Sequence, residues 1–304
     1  MGVITGSTRL LGVIGHPIEH SLSPLMHNAA LQAMAQGQGA WTSLESSQSI
    51  LSHVYLPLAV APTHLKVAVD GLAALGWVGF NITIPHKQTI VPLLSEVTPL
   101  AKAVGAVNTV WRTAQGWTGT NTDVQGFLAP LLTQNRDWSG VEATILGSGG
   151  AARAVIVGCA KLGCANIRVI GRDRTKLTQL QASFAGAAVP MAIPIKTSTW
   201  DRLSHHLPST ELLVNTTPLG LSPHSENTPL TDEQIQQLPP TALVYDLIYT
   251  PDPTRLMQQA QAWGLDSLSG LEMLIQQGAA ALEIWLQDPP PVAVMRQAAQ
   301  AFLR

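Results

Sequence analysis

The run Thr144-Ile145-Leu146-Gly147-Ser148-Gly149-Gly150-Ala151-Ala152 decides the fold. Ala143–Leu146 is a short apolar strand, and Ala151–Leu162 is an alanine-rich helix pattern. The letters between them fit G-x-G-x-x-A, and each small residue has a steric task. Gly147 permits a tight turn, Gly149 lets backbone approach a pyrophosphate, and Ala152 lets helix and strand pack closely. A helix N-terminus after such a turn offers free N–H groups and partial positive charge to phosphates. Gly147, Ser148, Gly149, Gly150 and Ala151 are therefore candidates for holding a dinucleotide. The plainer reading is a strand-to-helix turn that needs glycine for its own geometry.

The next strand, Asn166–Ile170, ends in Gly171-Arg172-Asp173-Arg174-Thr175-Lys176. NAD binding calls for an acidic residue about 20 positions after the glycines, accepting from the ribose 2′-OH. Here the segment instead holds three of the chain's 17 Lys and Arg side chains. Arginine grips a 2′-phosphate with two parallel bonds and stacks on adenine. NADP is the favoured cofactor on this ground, and a solvated basic loop is the bland alternative. Asp173 keeps NAD open, because its carboxylate offers an acceptor to a 2′-OH.

Working outward, Thr175–Phe184 is helix-like, and Leu212–Asn215 and Ala242–Ile248 are buried strands by length and composition. Leu268–Leu286 and Val292–Leu303 are amphipathic helices split by Pro289–Pro291. In the first half, strands are expected at Leu10–Ile14, Tyr55–Val60 and Gly79–Ile84, the last ended by Pro85. Helices are expected at Pro24–Met34, at His64–Leu75 with Thr63 as N-cap, and at Leu93–Ala103, broken or kinked at Pro99. Strands alternating with helices predict parallel βαβ units. Gln36–Ser52, rich in Gln, Gly and Ser, reads as a surface excursion.

Composition excludes several classes. The 304 residues suit about two domains. With 46% hydrophobic residues and a net charge of −2, the chain is neither disordered nor equipped with the basic face that nucleic acid demands. Charged residues are 12%, about half the usual ~25%. Cys159 and Cys164 read as buried small side chains; two cysteines build no disulfide scaffold, and a metal site would need more ligands. No run approaches the ~18 apolar residues of a membrane span, and no secretory leader is visible, so a cytoplasmic protein is expected.

Polar residues gather in the first half where packing does not require them. Ser21 and Ser23 follow a strand and open a helix, at the sheet edge where open α/β folds bind ligands. Ser23 is equally readable as an N-cap with Pro24 at the first helical position. Thr83 and Lys87 flank the end of a buried strand in Asn81-Ile82-Thr83-Ile84-Pro85-His86-Lys87. A lysine there is placed to exchange protons with a ligand, although strand-end lysines are commonly just solvated. Asn108, in Gly105-Ala106-Val107-Asn108-Thr109, can donate and accept toward a hydroxylated ligand. Asp123, after Asn121-Thr122, is a candidate acid or the N-cap of the helix Val124–Leu132.

Taken together these segments resemble the shikimate dehydrogenase family. The resemblance is carried by Ser21-Leu22-Ser23-Pro24, Asn81–Lys87, Gly105–Thr109, Asn121-Thr122-Asp123 and Gly147–Ala151. Asn215-Thr216-Thr217-Pro218-Leu219-Gly220 and Gly270-Leu271-Glu272-Met273-Leu274-Ile275-Gln276-Gln277 complete it, in family order across nearly the whole chain. It implies an α/β fold with an N-terminal α/β substrate domain, a mostly parallel sheet, and a Rossmann-type NADP-binding domain. The expected division is 1–122 and 123–269, with 270–304 folding back on the first domain.

The implied activity is NADPH-dependent reversible reduction of 3-dehydroshikimate to shikimate, a step in making aromatic amino acids. The resemblance makes Lys87 the acid/base group and Asp123 its partner. It assigns Ser21, Ser23, Thr83, Asn108, Tyr249 and Gln277 to the substrate. It gives Gly147–Ala151 the pyrophosphate, Gly171–Lys176 the adenosine side with Arg172 on the 2′-phosphate, and Leu247 and Gly270 the nicotinamide side. Gly171 and Asp173 depart from the family's usual flanks of that arginine. The rival readings are an NAD-preferring quinate/shikimate dehydrogenase and a non-catalytic NADPH-binding regulator of the same fold. Expected partners are small molecules, without nucleic acid, membrane or metal; the oligomeric state, a homodimer included, stays open.

Overall fold

The computed structural model describes residues 2–37, 50–185 and 195–303. Most of the Gln36–Ser52 excursion, residues 38–49, lies outside the described residues. In chain order, the first half runs β1 (Arg9–Gly15), α1 (Ser23–Gly37), β2 (His53–Ala59), α2 (Leu65–Ala74), β3 (Gly79–Ile82), β4 (Glu96–Val97), α3 (Pro99–Val104), β5 (Thr109–Thr113), β6 (Gly116–Thr120) and α4 (Asp123–Leu132). The second continues with β7 (Glu142–Leu146), α5 (Gly150–Leu162), β8 (Asn166–Gly171), α6 (Arg174–Ala185), β9 (Ile195–Thr199), α7 (Leu203–His206), β10 (Leu212–Asn215), α8 (Asp232–Ile235), β11 (Leu243–Asp246), α9 (Arg255–Ala262) and β12 (Asp266–Ser269). Two helices end the chain, α10 (Gly270–Leu286) and α11 (Val292–Leu303).

These strands make two six-stranded sheets. The second, ordered β12-β11-β10-β7-β8-β9, is parallel at every pairing. Its chain order reverses between β7 and β10, and the glycine turn leaves the carboxyl end of β7 at that switch, where such sheets take ligands. The first, ordered β2-β1-β3-β5-β6-β4, is parallel from β2 to β3, antiparallel at β3–β5 and β5–β6, and parallel again at β6–β4. The βαβ expectation therefore holds for the second sheet and half of the first. The β5–β6 hairpin, the short β4 and the polar strand β9 were not expected from the apolar pattern.

Three local expectations are corrected. Thr63 is not an N-cap: Pro62 starts a tight 3-10 turn through His64, and α2 opens after it with no side-chain cap. Pro99 does not break a helix but begins one. Its missing N–H suits the first helical position, and Thr98 Oγ1 accepts from Ala101 N at 3.3 Å. Leu268 and Ser269 belong to β12, so the long tail helix starts at Gly270.

The tail returns to the first sheet. Leu271, Ile275, Ala279, Leu282 and Trp285 of α10 join Leu11, Val13, Met26 and Tyr55 in one core, closed by Met295 and Ala299 of α11. Trp285 Nε1 donates to Val110 O at 2.9 Å, pinning α10 to β5. Helix α10 also crosses α4 almost in backbone contact. A Cβ on Gly126 would lie 2.6 Å from Met273 O and 2.8 Å from Gln277 Cβ.

Within this core, His27 of α1 stacks on Tyr55 with ring centroids 4.1 Å apart. Its Nδ1–H donates to Ser23 O at 2.8 Å, which fixes the neutral tautomer because a carbonyl only accepts. Burial pushes its pKa down to about 4.

This packing makes stability sensitive at two positions. Gly126→Ala gains helix propensity but drives a methyl into the backbone of α10; a net loss of about 1–3 kcal/mol is expected by urea unfolding. For His27, the unfolded chain takes a proton below about pH 6.5 while the native ring resists until about 4. Stability is therefore complete above pH 6.5 and falls by about 3 kcal/mol toward pH 4. Urea titrations across that range should show a shallower fall in His27→Phe; identical slopes would rule the ring out as the source.

Candidate active site

The site is built on the carboxyl edges of both sheets. Strand β3 ends at Ile82, and the following turn carries Thr83 and Lys87. His86 anchors that turn, its ring Nε2 2.7 Å from Val60 O, and Val107 N donates to Lys87 O at 2.8 Å. The lysine side chain is thereby aimed at the first residue of α4. Lys87 Nζ donates to Asp123 Oδ2 at 2.6 Å, with the two side chains 19% and 7% exposed.

Asp123 is not the N-cap of α4. That position falls to Thr122, and the carboxylate is free to face inward. Its Oδ1 accepts from Asn108 Nδ2 at 2.8 Å, so each oxygen has its own donor. Asn108 Nδ2 also lies 3.3 Å from Gln277 Oε1, and Gln277 Nε2 donates to Leu274 O at 2.8 Å. Lys87, Asp123, Asn108 and Gln277 are thus joined directly, although Gln277 is more than a hundred residues from the others along the chain.

Ser21 and Ser23 lie beyond the end of β1. Ser23 is the first residue of α1, and it is Ser21 Oγ that accepts its N–H, at 3.3 Å. Thr83 is half-buried; its N donates to Ile14 O at 2.9 Å and its methyl packs against Gly15. Tyr249 is half-buried against the first-half core, and burial raises its pKa. Leu247 packs on the second-half core, and Gly270 sits on the Leu247 backbone so tightly that a Cβ would have no room.

On the other edge, Gly147 has φ +105°, and a Cβ there would lie 2.6 Å from Thr216 Oγ1. A Cβ on Gly149 would meet nothing within 4 Å. Helix α5 starts with no side-chain cap, which leaves its first N–H groups for a ligand. This uncapped helix beside open space fits a dinucleotide pyrophosphate. A Cβ on Gly150 would touch only Lys87 Cδ, at 3.8 Å, so the glycine turn and the lysine face one another. Gly147 N donates to Ile170 O at 2.8 Å, tying the turn to the end of β8. There Gly171 is buried and Arg172, Asp173, Arg174, Thr175 and Lys176 are exposed. Asp173 Oδ1 accepts from Lys176 N at 3.1 Å, so this carboxylate caps α6.

The structure adds residues to which the sequence reading gave no role. Thr122 N donates to Asn108 Oδ1 at 2.7 Å, Thr109 Oγ1 donates to the same oxygen at 3.0 Å, and Asn81 lies behind both. All three stand inside the quoted motifs, which was the available signal. Tyr55 carried none. Among the described residues, no group of three or more His, Cys, Asp or Glu could hold a metal, and no helix is long and apolar enough to cross a membrane. Cys159 and Cys164 are buried and unbridged.

Residues 13–110 match the shikimate dehydrogenase substrate binding domain, and residues 270–300 match the shikimate 5′-dehydrogenase C-terminal domain. The shikimate dehydrogenase (NADP(+)) of Synechocystis sp. is 52% identical, with 98% of this chain and 97% of that protein covered. A crystal structure of a shikimate dehydrogenase in complex with NADP+ superposes with a TM-score of 0.86 at 35% identity, covering 100% of this chain and 98% of that one. The Thermus thermophilus shikimate 5-dehydrogenase in complex with NADP(H) and shikimate gives 0.79 at 30% identity, covering 97% and 99%. With full-length identity at this level, the chain belongs to the shikimate dehydrogenase family.

Proposed function

We propose that the protein catalyses the reversible, NADPH-dependent reduction of 3-dehydroshikimate to shikimate in the cytoplasm. The observation that carries this reading is the 2.6 Å Lys87–Asp123 contact directly facing the glycine turn. NADPH, when bound, supplies the hydride that adds to the carbonyl carbon. Negative charge then grows on the carbonyl oxygen, and Lys87 Nζ donates a proton to it. Asp123 Oδ2 holds the amine in line, and Asn108 holds Asp123. In the reverse direction Lys87 takes the proton back from the 3-hydroxyl.

Ser21, Ser23, Thr83, Asn108, Tyr249 and Gln277 are the neutral groups we assign to the substrate's carboxylate and ring hydroxyls; Asn108 is hydrogen-bonded to that pair, and Gln277 to Asn108. Neutral donors orient the substrate and leave Lys87 as the main charge at the reacting carbon. Gly147–Ala151 would hold the pyrophosphate, Arg172 with its cationic neighbours the 2′-phosphate, and Leu247 and Gly270 the nicotinamide side. We assign residues 1–122, together with 270–304, to substrate and 123–269 to cofactor. Closure of the two around both ligands would exclude water.

The test is NADP+ reduction with shikimate, followed by nicotinamide absorbance. Lys87→Ala should lower kcat by more than about a hundredfold with little change in shikimate KM; near-native turnover would end the acid/base assignment. Arg172→Ala should raise the KM for NADP+ by about tenfold or more while leaving that for NAD+ nearly unchanged. Equal changes for the two cofactors would move the 2′-phosphate contact elsewhere.

A further inference from the structure

Behind the proposed reacting pair lies a buried chain of hydroxyls and amides whose outer members, Tyr55, Asn81 and Thr109, have no part in the proposed reaction. Tyr55 OH donates to Asn81 Oδ1 at 2.7 Å. Asn81 Nδ2 donates to Thr109 Oγ1 at 3.1 Å and to Asn108 O at 3.0 Å. Thr109 Oγ1 donates to Asn108 Oδ1 at 3.0 Å, and Asn108 Nδ2 donates to Asp123 Oδ1 at 2.8 Å. Every member from Tyr55 to Asp123 is buried.

The polarity of this chain is not free. Asn108 O can only accept, which turns the Asn81 nitrogen toward it. Thr122 N can only donate, which turns the Asn108 oxygen toward it at 2.7 Å. Both amides are therefore held one way round. Burial also pushes the Tyr55 pKa well above its ordinary value, so the phenol stays an O–H donor. With the Thr109 hydroxyl donating to Asn108 Oδ1, donors run from Tyr55 to the Asp123 carboxylate; that hydroxyl also lies 3.0 Å from Thr122 Oγ1. The chain runs from β2, past β1, to β3 and β5 before it reaches α4.

We propose that Tyr55, Asn81 and Thr109 are positioning residues that orient Asn108, and through it Asp123, toward Lys87. This rests on the reading of Lys87 and Asp123 as the reacting pair. The carboxylate needs such support because Lys87 itself moves protons; an Asp123 held only by the lysine would follow it. Thr109 supplies one of three donors at Asn108 Oδ1, so its loss loosens the amide without releasing it.

Two substitutions at position 109 separate positioning from packing. Thr109→Val keeps the shape and removes the hydroxyl. Thr109→Ser keeps the hydroxyl and removes a buried methyl, so it is the less stable of the two. Full-length variants are compared by kcat, shikimate KM, NADP+ affinity from fluorescence titration, and urea unfolding. Thr109→Val should lose about tenfold in kcat with NADP+ affinity unchanged, while Thr109→Ser keeps most of the rate. Tyr55→Phe should shift kcat in the same direction. Combined with Thr109→Val it should cost less than the product of the two, since both cut one chain. Rates that track unfolding stability instead of the hydroxyl, or effects that multiply independently, would overturn the inference. An active wild type with unaffected Thr109→Val removes this inference alone; a wild type inactive on shikimate removes the proposed function as well.

Discussion

A buried carboxylate facing a lysine amine at 2.6 Å is the constraint around which the rest of the molecule is arranged. Removing charges from water costs free energy, and their attraction repays it only where the remaining lone pairs and protons are also satisfied. Asp123 meets that condition through Asn108, and Asn108 meets its own through Thr109 and Thr122. The polar groups behind the site are thus a requirement of the ion pair, not decoration around it. A half-satisfied network in the same place would be worse than an apolar core.

That requirement explains the tertiary arrangement. Lys87 comes from a turn after β3, Asn108 from the residue before β5, Asp123 from the start of α4, and Gln277 from α10. Four separate segments can converge only if α10 comes back from the second sheet and lies flat on α4. Gly126 makes the approach close enough for backbone to touch backbone. Trp285 and the stacked His27–Tyr55 pair then fix the far half of α10 to the first sheet. Packing and chemistry are joined at Tyr55, whose ring belongs to the core and whose hydroxyl belongs to the polar chain.

The legibility of these features in the sequence follows their physics. The glycine turn was readable because its demands are local: a positive φ at Gly147 and open space before α5 leave few alternatives to small residues. Strands β7, β8, β10 and β11 were readable as short apolar runs because parallel strands are covered on both faces. The β5–β6 hairpin was not, since its Ala114-Gln115 turn lacks the Asn-Gly or Asp-Gly signal. Strand β9, Ile-Lys-Thr-Ser-Thr, lies at a sheet edge and needs little apolar content. Among site residues, Lys87 and Asp123 each had an ordinary reading, a solvated strand-end lysine and a helix N-cap, and only the family resemblance paired them. Their contact spans 36 positions, and nothing in residue spacing encodes which way an asparagine amide points.

Asp173 shows how a residue can mislead by type and be resolved by geometry. As a letter after β8 it suggests an acceptor for a ribose hydroxyl. In the fold it closes the N-terminus of α6, where the free N–H of Lys176 and the helix dipole both favour a carboxylate. That occupancy has a consequence for an incoming phosphate. With the helix end already satisfied by an anion, a 2′-phosphate must find its positive charge in side chains. Arg172, Arg174 and Lys176 are the exposed cations around that capped end, and on the proposed reading they supply it. On the proposed reading, discrimination between the two nicotinamide cofactors depends on exposed cationic side chains rather than on fixed backbone dipoles. It should weaken with ionic strength, because exposed charges are screened over about 10 Å at 0.1 M salt.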